Sequence, residues 1–167
     1  VRGIEDYLLT EQYRRPEHQQ KVVEDILDNW IQYSQNNKFH GMFATSSIAE
    51  AIEYYRLFKK LKPKLKITAL FDPNIDNNEN AKFKEDGLVE IISDYNNRYG
   101  MEFSLATHAK MKRDIADRLA HKELYKRVEH TPEKQLDLLI VVDQMLTGFD
   151  SKWVNTLYLD KMLEYWG

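Results

Sequence analysis

The sequence contains no cysteine among its 167 residues. Disulfide bonds, thiolate nucleophiles and thiolate metal ligands are therefore excluded, and this composition suits a reducing compartment, so we expect a cytoplasmic protein. No apolar run approaches the ~18 residues that a membrane-spanning helix needs. The longest run, Leu138 to Val142, lies between two aspartates. The sequence thus predicts a protein without a membrane span.

The chain also lacks a strong excess of charge of either sign. Its 24 Lys and Arg residues oppose 27 Asp and Glu residues, which gives a formal net charge of −3. Any contact with nucleic acid must therefore come from a local patch. The hydrophobic fraction of 43% can build a core, and the length suits one domain. Because the sequence begins at Val1 without an initiator Met and ends without a tail, we interpret it as part of a longer protein.

The apolar spacing predicts helices and strands in alternation, and hence an α/β layer fold. Residues 1–37 are expected to form an N-terminal arm and an entry helix with Pro16 in its first turn, and residues 38–167 the α/β domain. Within that domain we expect a capping box at Ser47 and Glu50 and a central strand ending at Val142. The predicted strands are 39–45, 66–71, 136–142 and 156–159, and the predicted helices are 16–36, 47–62, 88–99 and 111–119.

Two predicted loops carry candidate functional groups. Parallel sheets place ligands at the carboxyl ends of their strands, so the segments after Ala44 and after Val142 are the first places to search. Thr45, Ser46 and Ser47 offer hydroxyls and backbone N–H groups to an anion at a helix N-terminus. Thr147, Gly148 and Asp150 suit contacts with a phosphate and a sugar hydroxyl. Both segments also have simpler interpretations, as a helix cap and as a turn.

Three segments of the chain resemble motifs of a known family. Leu138 to Asp150, with Asn155 to Lys161 after it, looks like helicase motif V and its following strand in the motor (R) subunits of type I restriction enzymes. Phe43 to Ser47 is similar to the motif IV region, and Ile91 to Gly100 to the helical segment between the two motifs. The resemblance covers the chain from about residue 38 onward.

The resemblance implies the second RecA-like domain of a superfamily 2 translocase, a parallel sheet flanked by helices. Two such domains would enclose ATP and Mg²⁺, held mainly by the first RecA-like domain, and would move along duplex DNA. Thr45, Ser46, Thr147 and Gly148 would contact the DNA backbone. Gly148 and Asp150 would contact the nucleotide, with Asp150 at the ribose. The implied partners are DNA, the specificity and methyltransferase subunits, and the first RecA-like domain.

The chain lacks the other motifs of such a motor. It contains no Gly-x-x-x-x-Gly-Lys-Ser/Thr loop and no acidic motif for Mg²⁺, and it ends at Gly167 before an arginine finger would follow. We therefore expect no catalytic residue in this segment and no ATP hydrolysis by the chain alone.

Two other functions remain open. Asp150-Ser151-Lys152, with Asp143 as a second carboxylate, would suit a metal-dependent nuclease of the PD-(D/E)-x-K type. A RecA-like interaction domain that has lost its coupling to ATP is the other alternative.

The remaining polar groups predict less. The five histidines show no metal-ligand spacing, so no metal site is expected, and His40 is interpreted as a packing residue. The basic run from Lys59 to Lys66 is either a solvated helix end or a contact for phosphates. Trp30, Ile26 and Ile31 are expected in the core, whereas Trp153 is expected to pack on a neighbouring domain.

Overall fold

The computed structural model describes residues 4–72, 81–142 and 151–160, with side chains from residue 15 onward. Within these ranges the chain forms four α-helices and four β-strands, with short 3-10 turns on both sides of the last helix. In chain order these elements are α1 (Ile4–Ser34), β1 (His40–Thr45), α2 (Ile48–Leu61), β2 (Ile67–Leu70), α3 (Ala81–Tyr99), α4 (His108–Ala120), β3 (Leu138–Val142) and β4 (Val154–Leu159).

The four strands form one parallel sheet in the order β2-β3-β1-β4. β1 and β3 occupy the centre, and every residue of both strands is buried. Strands covered on both faces need nearly continuous apolar sequence, which explains the run from Leu138 to Val142. The predicted fold class, α/β with a RecA-like parallel sheet flanked by helices, is confirmed.

Helices α1 and α2 pack on one face of the sheet. The Phe43 ring lies 4.7 Å from the Tyr54 ring and 6.2 Å from the Phe58 ring, both on α2. A Cβ atom added to Gly41 would lie 3.1 Å from the Trp30 side chain on α1, so the absence of a side chain permits this close approach. α2 begins at Ile48, and the predicted capping by Ser47 is confirmed. The reciprocal half of the predicted capping box is wrong, because the Glu50 carboxylate accepts from Ser46 and not from the Ser47 backbone N–H.

Two expectations for α1 are wrong. The helix begins at Ile4, so Pro16 lies inside it rather than in its first turn. Ile31 is 55% exposed, whereas Val23, Ile26 and Trp30 are buried. The reason is geometric, because positions 23, 26 and 30 lie on one stripe of a helix with 3.6 residues per turn and position 31 is turned away from it.

A buried arginine joins α3, α4 and the segment after α4. Arg118 is 1% exposed, and its guanidinium donates to the Tyr95 hydroxyl at 2.8 Å and to the Lys134 carbonyl at 2.7 Å. Asp114 lies 3.1 Å from the same guanidinium and neutralises it. The Tyr99 ring lies 3.7 Å from the guanidinium carbon. α3 therefore packs against α4 around a buried charge.

Candidate functional site

The carboxyl ends of the two central strands lie next to each other. β1 and β3 are hydrogen-bonded neighbours, and Thr45 at the end of β1 is in register with Val142 at the end of β3. The chain therefore leaves these two strands at adjacent positions, Thr45 and Val142. This adjacency follows from strand order, which neither segment reveals by itself.

Thr45 joins these two strands. Its hydroxyl donates to the Val141 carbonyl at 3.0 Å, and the residue is 1% exposed. Because the hydroxyl already has a buried partner, a direct contact of this group with a ligand would require the bond to Val141 to break. In the structure Thr45 sets the geometry of the edge, whereas the next residue, Ser46, is exposed.

The N-terminus of α2 differs from the expected anion site. The Ser47 hydroxyl accepts from the Glu50 backbone N–H at 3.2 Å, as a helix cap does. The Glu50 carboxylate accepts from the Ser46 hydroxyl at 2.7 Å and from the Ser46 backbone N–H at 3.4 Å. The expectation of free N–H and hydroxyl groups is therefore wrong for Ser46. The cause is a carboxylate of the chain itself, which fills the position that an external anion would take.

The other predicted site residues, Thr147, Gly148 and Asp150, lie outside the described residues. So does Asp143, the second carboxylate of the nuclease alternative. Their roles stay predictions. The described part of the chain ends on one side at Val142 and resumes at Ser151, whose hydroxyl accepts from the Trp153 N–H and donates to the Leu119 carbonyl.

Sequence reasoning missed Asp160 at the same edge. It directly follows β4, and its backbone N–H donates to the Ala44 carbonyl at 3.2 Å. Its carboxylate lies 2.9 Å from the His18 ring nitrogen on α1, and the Asp160 side chain is 8% exposed. Its position after a predicted strand was a usable signal. The pairing of Asp160 with His18 left no signal in the sequence, because 142 positions separate the two residues.

Two histidines form a buried pair at the opposite, amino edge of the sheet. The His40 Nδ1 group donates to the Leu136 carbonyl, and its Nε2 atom therefore accepts from His121 Nε2 at 2.8 Å. Burial and the nearby His121 lower the pKa of His40 to about 4. The expectation that His40 is a packing residue is confirmed. Among the described residues, no three His, Asp or Glu side chains could together hold a metal ion.

The basic run from Lys59 to Lys66, which begins in the last turn of α2, contains paired and unpaired lysines. Lys59 lies 2.6 Å from Asp94 and 3.1 Å from Glu90, both on α3. Lys66 lies 3.8 Å from Asp137. Lys62 and Lys64 form no ion pair within the part of the chain that the structure describes, and both line a cleft beside the amino edge. The run is therefore partly structural and partly open to a ligand.

Comparison with known proteins agrees with this fold. A four-stranded parallel sheet flanked by helices is consistent with the RecA-like fold of a helicase C-terminal domain. Residues 37–167 match the family described as type I restriction enzyme subunit R domain 3. The chain belongs to this family. No described helix is long and apolar enough to cross a bilayer.

Two staphylococcal proteins are similar over most of the chain. The type I restriction enzyme SauCOLORF180P endonuclease subunit of Staphylococcus aureus (strain COL) is 36% identical over 152 residues, which cover 86% of the chain and 16% of that protein. The SsaAORF53P endonuclease subunit of Staphylococcus saprophyticus is 32% identical over 153 residues, with the same coverage. The chain therefore spans about a sixth of the length of these curated relatives.

Proposed function

We propose that this chain is part of the motor of a type I restriction–modification enzyme, in which ATP-driven movement along duplex DNA leads to cleavage. In this proposal the segment after β1 and the segment after β3 form one continuous contact surface at the carboxyl edge. The complete protein would work in the bacterial cytoplasm with specificity and methyltransferase subunits. The proposal rests on the family membership together with the adjacency of Thr45 and Val142 in the central strands.

The DNA contact would come from backbone-directed groups. Ser46 is exposed at the start of α2, and Thr147 and Gly148 follow the neighbouring strand in the sequence. Hydroxyl and N–H donors contact phosphate oxygens without reading base sequence, which suits movement along any DNA. Thr45 would hold the two segments at a fixed separation through its bond to Val141.

The nucleotide contact would come from Asp150, whose carboxylate accepts from a ribose hydroxyl. ATP bound between this domain and the first RecA-like domain would supply the energy for domain closure, and Mg²⁺ would be held mainly by that other domain. A segment that contacts both the nucleotide and the DNA can couple closure of the two domains to a change in its contacts with the DNA strand. In this proposal the segment binds and positions the nucleotide and the DNA and carries no catalytic group. We therefore propose that the chain alone has no ATPase activity.

The experiment compares variants of the complete subunit that contains this chain. Ser46→Ala and Thr147→Ala, singly and together, should slow translocation, and the combined loss should differ from the sum because both groups hold one backbone. Ser93→Ala, an exposed serine on α3, is the matched control and should leave the rate unchanged. Normal translocation by the double variant would contradict the proposal. DNA-stimulated phosphate release by the isolated chain would contradict its expected inactivity.

A further inference from the structure

A cleft of about 660 Å³ opens at the amino edge of the sheet, opposite the proposed DNA contact. A residue within two positions of the start of each strand lines it: Lys38 before β1, Lys66 before β2, Asp137 before β3 and Trp153 before β4. The amino ends of parallel strands meet at one edge, so the topology itself assembles this cleft. Its volume is in the ordinary range for small-molecule sites.

The cleft is positively charged although the chain is not. Lys38, Lys62, Lys64 and Lys66 line it, against Asp137 and Glu129. Lys66 lies 3.8 Å from the Asp137 carboxylate, so part of its charge is neutralised. Lys62 and Lys64 are exposed and, over the ranges that the structure describes, have no acidic partner. Two ammonium groups are thus available to an anion.

Asp137 provides a buried acceptor in the same cleft. The residue is 3% exposed, and its Oδ2 atom accepts from the Lys66 backbone N–H at 3.0 Å. Its Oδ1 atom is buried and has no hydrogen-bond partner among the described residues. A buried carboxylate oxygen without a donor is costly, and burial raises the pKa of this group. A ligand hydroxyl would satisfy it.

The third component is an apolar wall. Trp30 and Ile31 from α1 line the cleft together with Leu65 and Trp153. Ile31 is 55% exposed, and the face of Trp153 stacks on His121 with a centroid separation of 4.2 Å, which fixes the indole in place. A flat apolar group could pack against such a preformed surface without ordering it first.

We propose that this cleft binds a nucleoside phosphate. The phosphate would lie on Lys62 and Lys64, and a ribose hydroxyl would donate to Asp137 Oδ1. The base would pack against the apolar wall where Ile31 and Trp153 keep exposed surface. Neither inorganic phosphate nor a nucleoside alone satisfies all three components. This site is distinct from the nucleotide contact of Asp150, because it lies at the amino edge of the sheet and Asp150 follows a carboxyl end.

The first test is calorimetric titration of the 167-residue chain at low salt. The probes are AMP, adenosine, inorganic phosphate, and 2′,3′-dideoxyadenosine 5′-monophosphate, which lacks the ribose hydroxyls. AMP should bind at least tenfold more tightly than each of the other three. No binding of AMP, or equal affinity for AMP and its dideoxy analogue, would overturn the proposal without requiring any variant to fold.

The second test locates the site. Lys62→Ala/Lys64→Ala should weaken AMP binding at least tenfold, whereas Lys110→Ala/Lys112→Ala, which removes two exposed charges from α4, should leave it unchanged. Equal losses in both double variants would indicate a nonspecific charge effect and overturn the proposal. So would unchanged AMP binding by Lys62→Ala/Lys64→Ala, which would show that AMP does not bind at these lysines. Neither result depends on translocation, so the two proposals can fail separately.

Discussion

The Ser46 hydroxyl donates a hydrogen bond of 2.7 Å to the carboxylate of Glu50. The Ser46 backbone N–H approaches the same oxygen at 3.4 Å. A negative side chain thus holds the two donors that our proposal assigns to a DNA phosphate. Since a DNA phosphate must displace this carboxylate, Glu50 should weaken the binding of the phosphate by Ser46. Weaker binding makes the DNA easier to release, as a protein that moves along DNA requires.

Replacing Glu50 should therefore tighten DNA binding. In the complete subunit, Glu50→Gln removes a charge that repels the phosphate, and at low ionic strength we expect affinity for duplex DNA to rise about fivefold, from a contact of ~1 kcal/mol. The gain should shrink with added salt. Fluorescence anisotropy with labelled DNA measures it. Glu53→Gln, one turn further along α2, is the control, and an equal effect of both substitutions would contradict the assignment.

Removing the buried charge of Arg118 should destabilise the chain. Arg118→Met leaves the Lys134 carbonyl without its donor. The Asp114 carboxylate keeps the Tyr95 and Tyr125 hydroxyls but loses its cationic partner, and loss of one partner of a buried ion pair costs about 3–5 kcal/mol. Urea denaturation should show that loss in the free energy of unfolding. Arg113→Met, an exposed position on the same helix, should change it by less than about 0.5 kcal/mol. Similar values for the two variants would disprove the role of Arg118.

Stability should fall in mild acid because of the histidine pair. The pKa of His40 is about 4 in the folded chain against 6.5 for an unperturbed histidine. The unfolded chain therefore binds more protons between these values, and the free energy of unfolding should decrease as the pH drops from 6.5 to 4, by on the order of 3 kcal/mol. Burial also lowers the pKa of His121, which adds an effect of the same sign.

Denaturation at a series of pH values checks this expectation. His40→Gln should flatten the dependence between pH 6.5 and 4, whereas His130→Gln should not, because the His130 side chain is 72% exposed. A steep dependence that survives in the His40 variant would show that other groups cause the acid sensitivity.

The sequence predicted those features of the fold that depend on residues close together in the chain. The cap at Ser47 and the buried strand at Leu138 to Val142 were predictable, because a helix start and a doubly covered strand leave patterns within a few positions. The predicted start of α1 at Pro16 was wrong. Proline favours the first turn of a helix, but this helix begins at Ile4 and contains Pro16 in its interior.

Contacts between residues far apart in the chain could not be predicted from such local patterns. The pair of His40 and His121 joins positions that are 81 residues apart. The Arg118–Asp114 ion pair is local, but the rings that surround Arg118 come from Tyr95 and Tyr99 on α3 and from Tyr125 after α4. Glu50 was found as a capping residue, but its carboxylate turned to Ser46 rather than to the backbone of the cap itself. Side-chain geometry determines whether the Glu50 carboxylate accepts from Ser46 or from the backbone N–H of the cap residue. The spacing of residues in the sequence does not predict that geometry.

The most direct test of the motor proposal is the DNA-stimulated ATPase of the complete subunit with Asp150→Ala. If the segment after β3 touches the nucleotide, the variant should lose most of that activity, while DNA binding without nucleotide stays near the parental value. An unchanged DNA-stimulated ATPase would contradict the proposal and favour a RecA-like interaction domain that takes no part in the ATP cycle.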